Sequence, residues 1–324
     1  MSTSNQTWAK AAVAAALAVF AAAASASAAQ AGKSPVKVFI LAGQSNMEGQ
    51  GKIVLDPEKN AGKGTLEYLA KDPAAAAQFR HLVDASGRWV TRDDVWIWYL
   101  DRKGGLTVGY GARDDRIGPE LQFGHVLGDY FDNQVLLIKT AWGGKSLAKD
   151  FRPPSSGGET GPYYAEMLRL VKEVLADLKT HFPDYDGGGF ELAGFGWHQG
   201  WNDRVNQAFN DEYEKNLANF IRDVRKDLGV ADLPFVIAET GMRGREEIHP
   251  RGLSLMRAQA AVARYEEFQG NVAFVETKDF YRPPEVSPSA QGYHWNSNAE
   301  TYFLIGSSMG EAMRELCARR QARP

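Results

Sequence analysis

The chain has 324 residues, 44% apolar and 24% charged, long enough to bury a sizeable core without covalent staples. Its formal net charge is −3 with a pI near 6.1, so no basic excess exists to drive phosphate-backbone binding, and nucleic acid is not an expected partner. A single cysteine, Cys317, excludes an internal disulfide framework and any multi-cysteine zinc site; ordinary Gly and Pro usage excludes a collagenous or disordered chain.

At the N-terminus, Lys10 precedes an apolar run over 11–24. At about 14 residues it falls short of the roughly 20 needed to span a bilayer as a helix. Ala24-Ser25-Ala26 and Ala26-Ser27-Ala28 both fit the small-residue pattern of a cleavage site. Residues 1–28 therefore read as a secretory signal peptide and 29–324 as one mature domain. That domain is expected in the periplasm or the extracellular medium, with no membrane attachment after cleavage.

The first apolar run, 36–42, reads as a strand. The stretch 51–116 is long, polar and rich in Gly, Asp and Trp; it reads as an insertion over one end of a sheet, with a hairpin expected around 89–99. A helical pattern at 119–130 leads to a second strand at 135–141. The segment 153–162 is irregular, and 164–181 carries one apolar stripe at three-to-four spacing. Then strands at 192–198, 235–240 and 272–276 alternate with helical patterns at 206–228, 253–268 and 301–319. All five strand runs are near-continuously apolar, the pattern of strands covered on both faces. The economical fold is a three-layer α/β/α sandwich around a five-stranded parallel sheet, with one long insertion after the first strand.

Ligands of open parallel sheets bind beyond the carboxyl ends of the strands. Three such segments carry chemistry. Gly43-Gln44-Ser45-Asn46-Met47 follows the first strand and would project the Ser45 hydroxyl from its end. Such a hydroxyl is a poor nucleophile until a base takes its proton; the plainer alternative is that Ser45 caps a helix. After the second strand, Gly143-Gly144 can present backbone N–H groups to an oxyanion, or can simply form a turn. After the third, Gly200-Trp201-Asn202-Asp203 offers an amide donor in Asn202, or an Asn/Asp turn with Asp203 as a helix cap. Among six histidines, His294, just ahead of the last helix, is the candidate base, with His198 its rival.

Gly43-Gln44-Ser45-Asn46-Met47, followed by Gly49-Gln50-Gly51, resembles the nucleophile block of the carbohydrate-esterase-six and sialate O-acetylesterase branch of the SGNH hydrolases. Trp142-Gly143-Gly144-Lys145-Ser146-Leu147 and Trp197-His198-Gln199-Gly200 through Asp203 are similar to its second and third blocks. Gly118-Pro119-Glu120-Leu121 resembles another of its recurrent stretches, and His294 stands where that family carries its base. The resemblance implies a flavodoxin-like sandwich and serine-dependent removal of acetyl groups from sugars, with no metal or organic cofactor. It implies Ser45 as nucleophile and His294 as base. The oxyanion donors it implies are the Ser45 N–H, Gly144 (or Gly143) and Asn202.

Two departures concern the triad acid. Gln291 stands three residues before His294, where the superfamily has Asp, and Trp201 stands where the branch often has Glu. Asp203 is the favoured substitute; a backbone carbonyl ahead of His294, Glu239, Glu276 and Asp279 are the others. Gln44, Trp142, Gln199, Trp201 and Trp295 are the expected substrate contacts, and Trp197 and Tyr293 add to the aromatic supply, much of which core packing would also use. Arg243 and Arg245 are candidates for pairing with an acidic sugar. The rivals are a lipase or thioesterase on the same scaffold, against which the polar insertion argues, and a non-catalytic carbohydrate-binding protein that has lost its acid.

Overall fold

The computed structural model describes residues 34–322; the signal peptide expected at 1–28 lies outside them. Nine strands occur in the described chain: β1 Val36–Gly43, β2 Gly51–Lys52, β3 Arg92–Tyr99, β4 Arg102–Leu106, β5 Arg116–Ile117, β6 Val135–Ala141, β7 Phe190–His198, β8 Phe235–Ala238 and β9 Val272–Val275. Five longer helices accompany them: α1 Glu120–Tyr130, α2 Pro162–Ala176, α3 Tyr213–Leu228, α4 Pro250–Val262 and α5 Ala299–Gln321.

The main sheet has seven strands in the order β4-β3-β6-β1-β7-β8-β9. Every neighbouring pair is parallel except β3–β4. Alternate side chains leave opposite faces of a strand. Val38, Ile40 and Ala42 of β1 accordingly join a core with residues of α2, α3 and α4, while Phe39 and Leu41 join a second core with α1 and α5. This is the expected three-layer sandwich, with β1 at the centre of the sheet and its neighbour β6 buried along its whole length.

The expected count of five strands is corrected to seven. The 51–116 segment does not merely cover the sheet: it adds β3, paired with β6, and β4, paired with β3. The expected hairpin thus lies at 92–106 instead of 89–99. β4 (Arg-Lys-Gly-Gly-Leu) was hidden because an edge strand needs no apolar faces and is commonly charged. Helix ends also shift. The pattern at 164–181 breaks at Asp177, whose carboxylate caps a separate turn by accepting from Thr180 N–H, and the pattern at 206–228 breaks at Glu212. No helix among the described residues is long and apolar enough to cross a membrane.

Candidate active site

Ser45 opens a single helical turn, Ser45–Glu48, directly after β1. Gly43 makes that geometry possible: with φ +153° it approaches β7 so closely that a Cβ would collide with the His198 carbonyl oxygen. Only glycine lets the ends of the two strands meet. The capping alternative for Ser45 does not hold, because the N-cap is Gln44 and no side chain caps the turn. Ser45 is 8% exposed. Among the described residues its N–H and hydroxyl have no partner.

The second loop is tied to the first by Trp142 N–H donating to the Gly43 carbonyl at 3.2 Å. The Gly143 N–H faces the Glu48 carboxylate, which burial raises against the opposing pull of Lys139 and of that N–H. Gly144 is exposed, sits at φ +71° and has no acceptor for its N–H among the described residues. Of the two glycines, Gly144 is therefore the one with a donor to offer. Asn202 Nδ2 donates to the Gly144 carbonyl, so the Asn202 amide lies beside that donor with one N–H still to give.

His294 reaches the same place by a strained route. Its backbone precedes three consecutive non-glycine residues in the left-handed region, Trp295 (φ +50°), Asn296 (+55°) and Ser297 (+57°). Such residues cost roughly 1–3 kcal/mol each and persist only where their surroundings hold them. Here Trp295 is fully buried, Asn296 Nδ2 donates to the Arg282 carbonyl at 2.9 Å, and Ser289 and Ser297 hydroxyls meet at 3.2 Å. Asn46, next to Ser45, closes the arrangement. Its Nδ2 donates to the Tyr293 carbonyl at 3.1 Å, and its Oδ1 accepts from the Tyr302 hydroxyl at 2.7 Å. That hydroxyl also lies 3.2 Å from the His294 carbonyl. The serine turn and the histidine turn are thus clamped together through Asn46 and Tyr302. No direct hydrogen bond joins Ser45 Oγ to the His294 ring, a gap common before substrate binds. Asn46 was part of the recognised motif; nothing in one sequence marks Tyr302, on α5, as its partner.

Among the described residues no carboxylate stands behind His294. Burial alone pushes its imidazole down to about 4, with no acidic neighbour offsetting it. Asp203, expected as that acid, is placed elsewhere. It is fully buried, its two oxygens accept from Leu147 N–H and Ala148 N–H at 2.9 Å each, and Gln199 Nε2 donates to it at 2.5 Å. The other candidates are also committed. Glu239 accepts from Thr277 N–H and pairs with Lys278, which also pairs with Glu276; Asp279 pairs with Arg245. The Gln291 carbonyl already receives the N–H groups of His294 and Asn296. The ring instead packs edge-on against Tyr293, centroids 4.5 Å apart.

Several expected substrate contacts prove to be scaffold. Trp295 and Trp197 are fully buried. Gln44 is 2% exposed, and its Oε1 receives Gly200 N–H, Asn202 N–H and Gln199 Nε2. Gln199 is 1% exposed and bridges the Lys145 carbonyl to Asp203. Trp142 and Trp201 stay half-buried, and Trp201 pairs with the exposed Tyr293 at 5.6 Å, forming an aromatic wall beside His294. His198, the rival base, is fully buried; its ring nitrogens lack partners of good geometry, and burial holds it near 3 despite a contact with the Glu239 backbone. A cavity of about 610 Å³ lined by Arg245, Glu239 and Lys278 among others includes neither Ser45 nor His294. No cluster of His, Cys, Asp or Glu suited to hold a metal occurs among the described residues.

A protein of Arabidopsis thaliana described as a probable carbohydrate esterase is 24% identical over 205 residues, 62% of this chain and 68% of its own. Solved structures share the fold. An Arabidopsis thaliana protein superposes with a TM-score of 0.57 at 17% identity, covering 86% of this chain and 98% of that one. The carbohydrate acetylesterase XAC1771 of Xanthomonas citri gives 0.53 at 15% identity, covering 87% and 57%. NanS gives 0.50 at 13% identity, covering 89% and 98%. The model of the carbohydrate esterase family described as sialic acid-specific acetylesterase matches residues 35–315, nearly all of the described chain, so the protein belongs to that family and is an esterase of the carbohydrate acetylesterase type.

Proposed function

We propose that the chain removes O-acetyl groups from sugars of a xylan or sialate type by a serine–histidine dyad in an SGNH-like site, and that it does so after export. The observation that carries the reading is the Asn46–Tyr302 clamp, which brings the turns of Ser45 and His294 together. His294 takes the Ser45 proton as Oγ attacks the acetyl carbonyl. The carbonyl oxygen becomes an oxyanion facing the Ser45 and Gly144 N–H groups and Asn202 Nδ2. The intermediate collapses, breaking the acetyl–sugar C–O bond, and His294 returns the proton to the sugar oxygen. Water, deprotonated by the same imidazole, then attacks the acetyl-serine and releases acetate and Ser45. The half-buried Trp142, Trp201 and Tyr293 offer flat faces to a sugar ring.

The test joins acetate release from a panel of acetylated glycans to labelling by a serine-reactive organophosphonate. Acetate release together with a label mapped to Ser45 is expected. A chain that binds glycan and never labels at Ser45 is the non-catalytic alternative, and faster turnover of long than of short acyl esters is the lipase alternative.

The pH dependence follows from the depressed imidazole. The neutral ring is the working base, and it is neutral above its folded value near 4. The acid limb of kcat/KM that belongs to His294 should therefore fall well below 6.5, near 4; Asp203, whose carboxyl burial raises to about 6, is the group whose protonation adds a separate limb above it. A limb at or above 6.5 would reveal a carboxylate partner and overturn the dyad.

A further inference from the structure

Gly144 offers its N–H from a glycine pair, the most pliable dipeptide a chain can contain, yet an oxyanion donor must be held near 2.7–3.1 Å from the developing charge. The rigidity has to come from outside the pair. Downstream, the loop ties itself into a turn: Ser146 N–H and Oγ both donate to Asp150 Oδ2 at 2.8 Å, and Phe151 N–H donates to the Ser146 carbonyl at 2.9 Å. What fastens that turn to the body of the protein is the segment after β7. Asn202 holds the Gly144 carbonyl, Gln199 holds the Lys145 carbonyl, and Asp203 holds the N–H groups of Leu147 and Ala148.

Building on the reading of Ser45 and Gly144 above, we propose that Asp203 is the positioning residue of the oxyanion hole, fixing the Gly144 donor through the backbone of Leu147 and Ala148. A carboxylate suits this task because it accepts at both oxygens and donates nothing, so two parallel N–H groups meet two acceptors. An amide there would turn an NH₂ toward one of them. Asp203 is fully buried, and its neighbour Arg204 is turned away to Glu247, so it is backbone and amide N–H groups that satisfy it. Charge-assisted bonds of this kind are about twice as strong as neutral ones.

Asp203→Asn is expected to lower kcat about 10²–10³-fold, the cost of losing an oxyanion donor, with KM moving less than about threefold. Burial raises the Asp203 carboxyl to about 6 against the N–H groups that hold it, so the wild type should lose kcat as pH falls through about 6, and the variant, with no carboxyl there to protonate, should lack that limb. Combined with Asn202→Ala, the loss should be smaller than the product of the single losses, since both act on one donor pair. A kcat within threefold of wild type, a limb near pH 6 that survives in the variant, or multiplicative losses would each overturn the proposal. Should Asp203→Asn not fold, Asp203→Ser, smaller and still an acceptor, carries the same expectation. The wild type gives an independent reading: amide exchange at Leu147 and Ala148 must be slow, and fast exchange there refutes the anchor. A Ser45→Ala control separates the two levels. If it keeps activity, the serine reading and this inference fall together; if it is inactive while Asp203→Asn is unimpaired, the inference falls alone.

Discussion

Ser45→Ala and His294→Ala are each expected to lower kcat by roughly 10⁴-fold or more, and the double variant is expected to be little worse than either alone. Nucleophile and base act as a unit, so losing one idles the other. The residual rate would come from the oxyanion donors and substrate binding, which neither change removes. The effect should be large here because, among the described residues, the other titratable groups close to this loop cluster are already engaged. His198 is sealed in the core and held near 3, Asp203 is occupied by Leu147 and Ala148, and the Glu48 carboxylate faces Gly143. Initial rates on a soluble acetylated sugar, with circular dichroism to show that each variant is folded, read the outcome. If His294→Ala stays within tenfold of wild type, the base is another group and the dyad is wrong.

Lys139→Met is expected to destabilise the fold by about 3–5 kcal/mol, the usual consequence of leaving a buried charge without its partner. Lys139 lies on β6 among apolar residues and is fully buried. Its Nζ meets Glu120 Oε2 at 2.8 Å and donates to the carbonyls of Glu48 at 2.6 Å and Tyr110 at 2.7 Å. Glu120 is also fully buried and would keep only the Gly118 N–H, at 2.8 Å. Because the Glu48 carbonyl closes the turn that Ser45 opens, activity should fall along with stability. Urea unfolding of Lys139→Met, Glu120→Gln and the double variant checks this. The double variant should lose less than the sum of the singles, since it leaves neither charge alone. A loss under about 1 kcal/mol for Lys139→Met would show that the pair contributes little. The motif Gly118-Pro119-Glu120-Leu121, noticed in the sequence for its resemblance, thus supplies the floor beneath the serine turn.

The sequence by itself determined the features whose causes are local. Continuous apolar runs made β1, β6, β7, β8 and β9 legible, and three-to-four spacing did the same for the helices. The serine after a strand end, the glycine pair and the Asn-Asp segment stood out because sharp turns and free donors demand particular residue types within a few positions. Tertiary structure decided everything that depends on which distant group a side chain meets. β4 is a strand only because β3 lies beside it. Trp295, Gln44 and Gln199 read as ligand contacts, yet packing turned the first into core and the other two into braces. Asp203 was chemically fit to orient an imidazole or to receive backbone N–H groups, and the loop at 146–148 took it. Asn46 and the Tyr293 carbonyl, 247 residues apart, meet because the turn before α5 comes back to the carboxyl end of β1. Backbone preferences are set within a few residues, whereas hydrogen-bond partners and burial are set by the packing of whole layers, and so the former could be read along the chain and the latter could not.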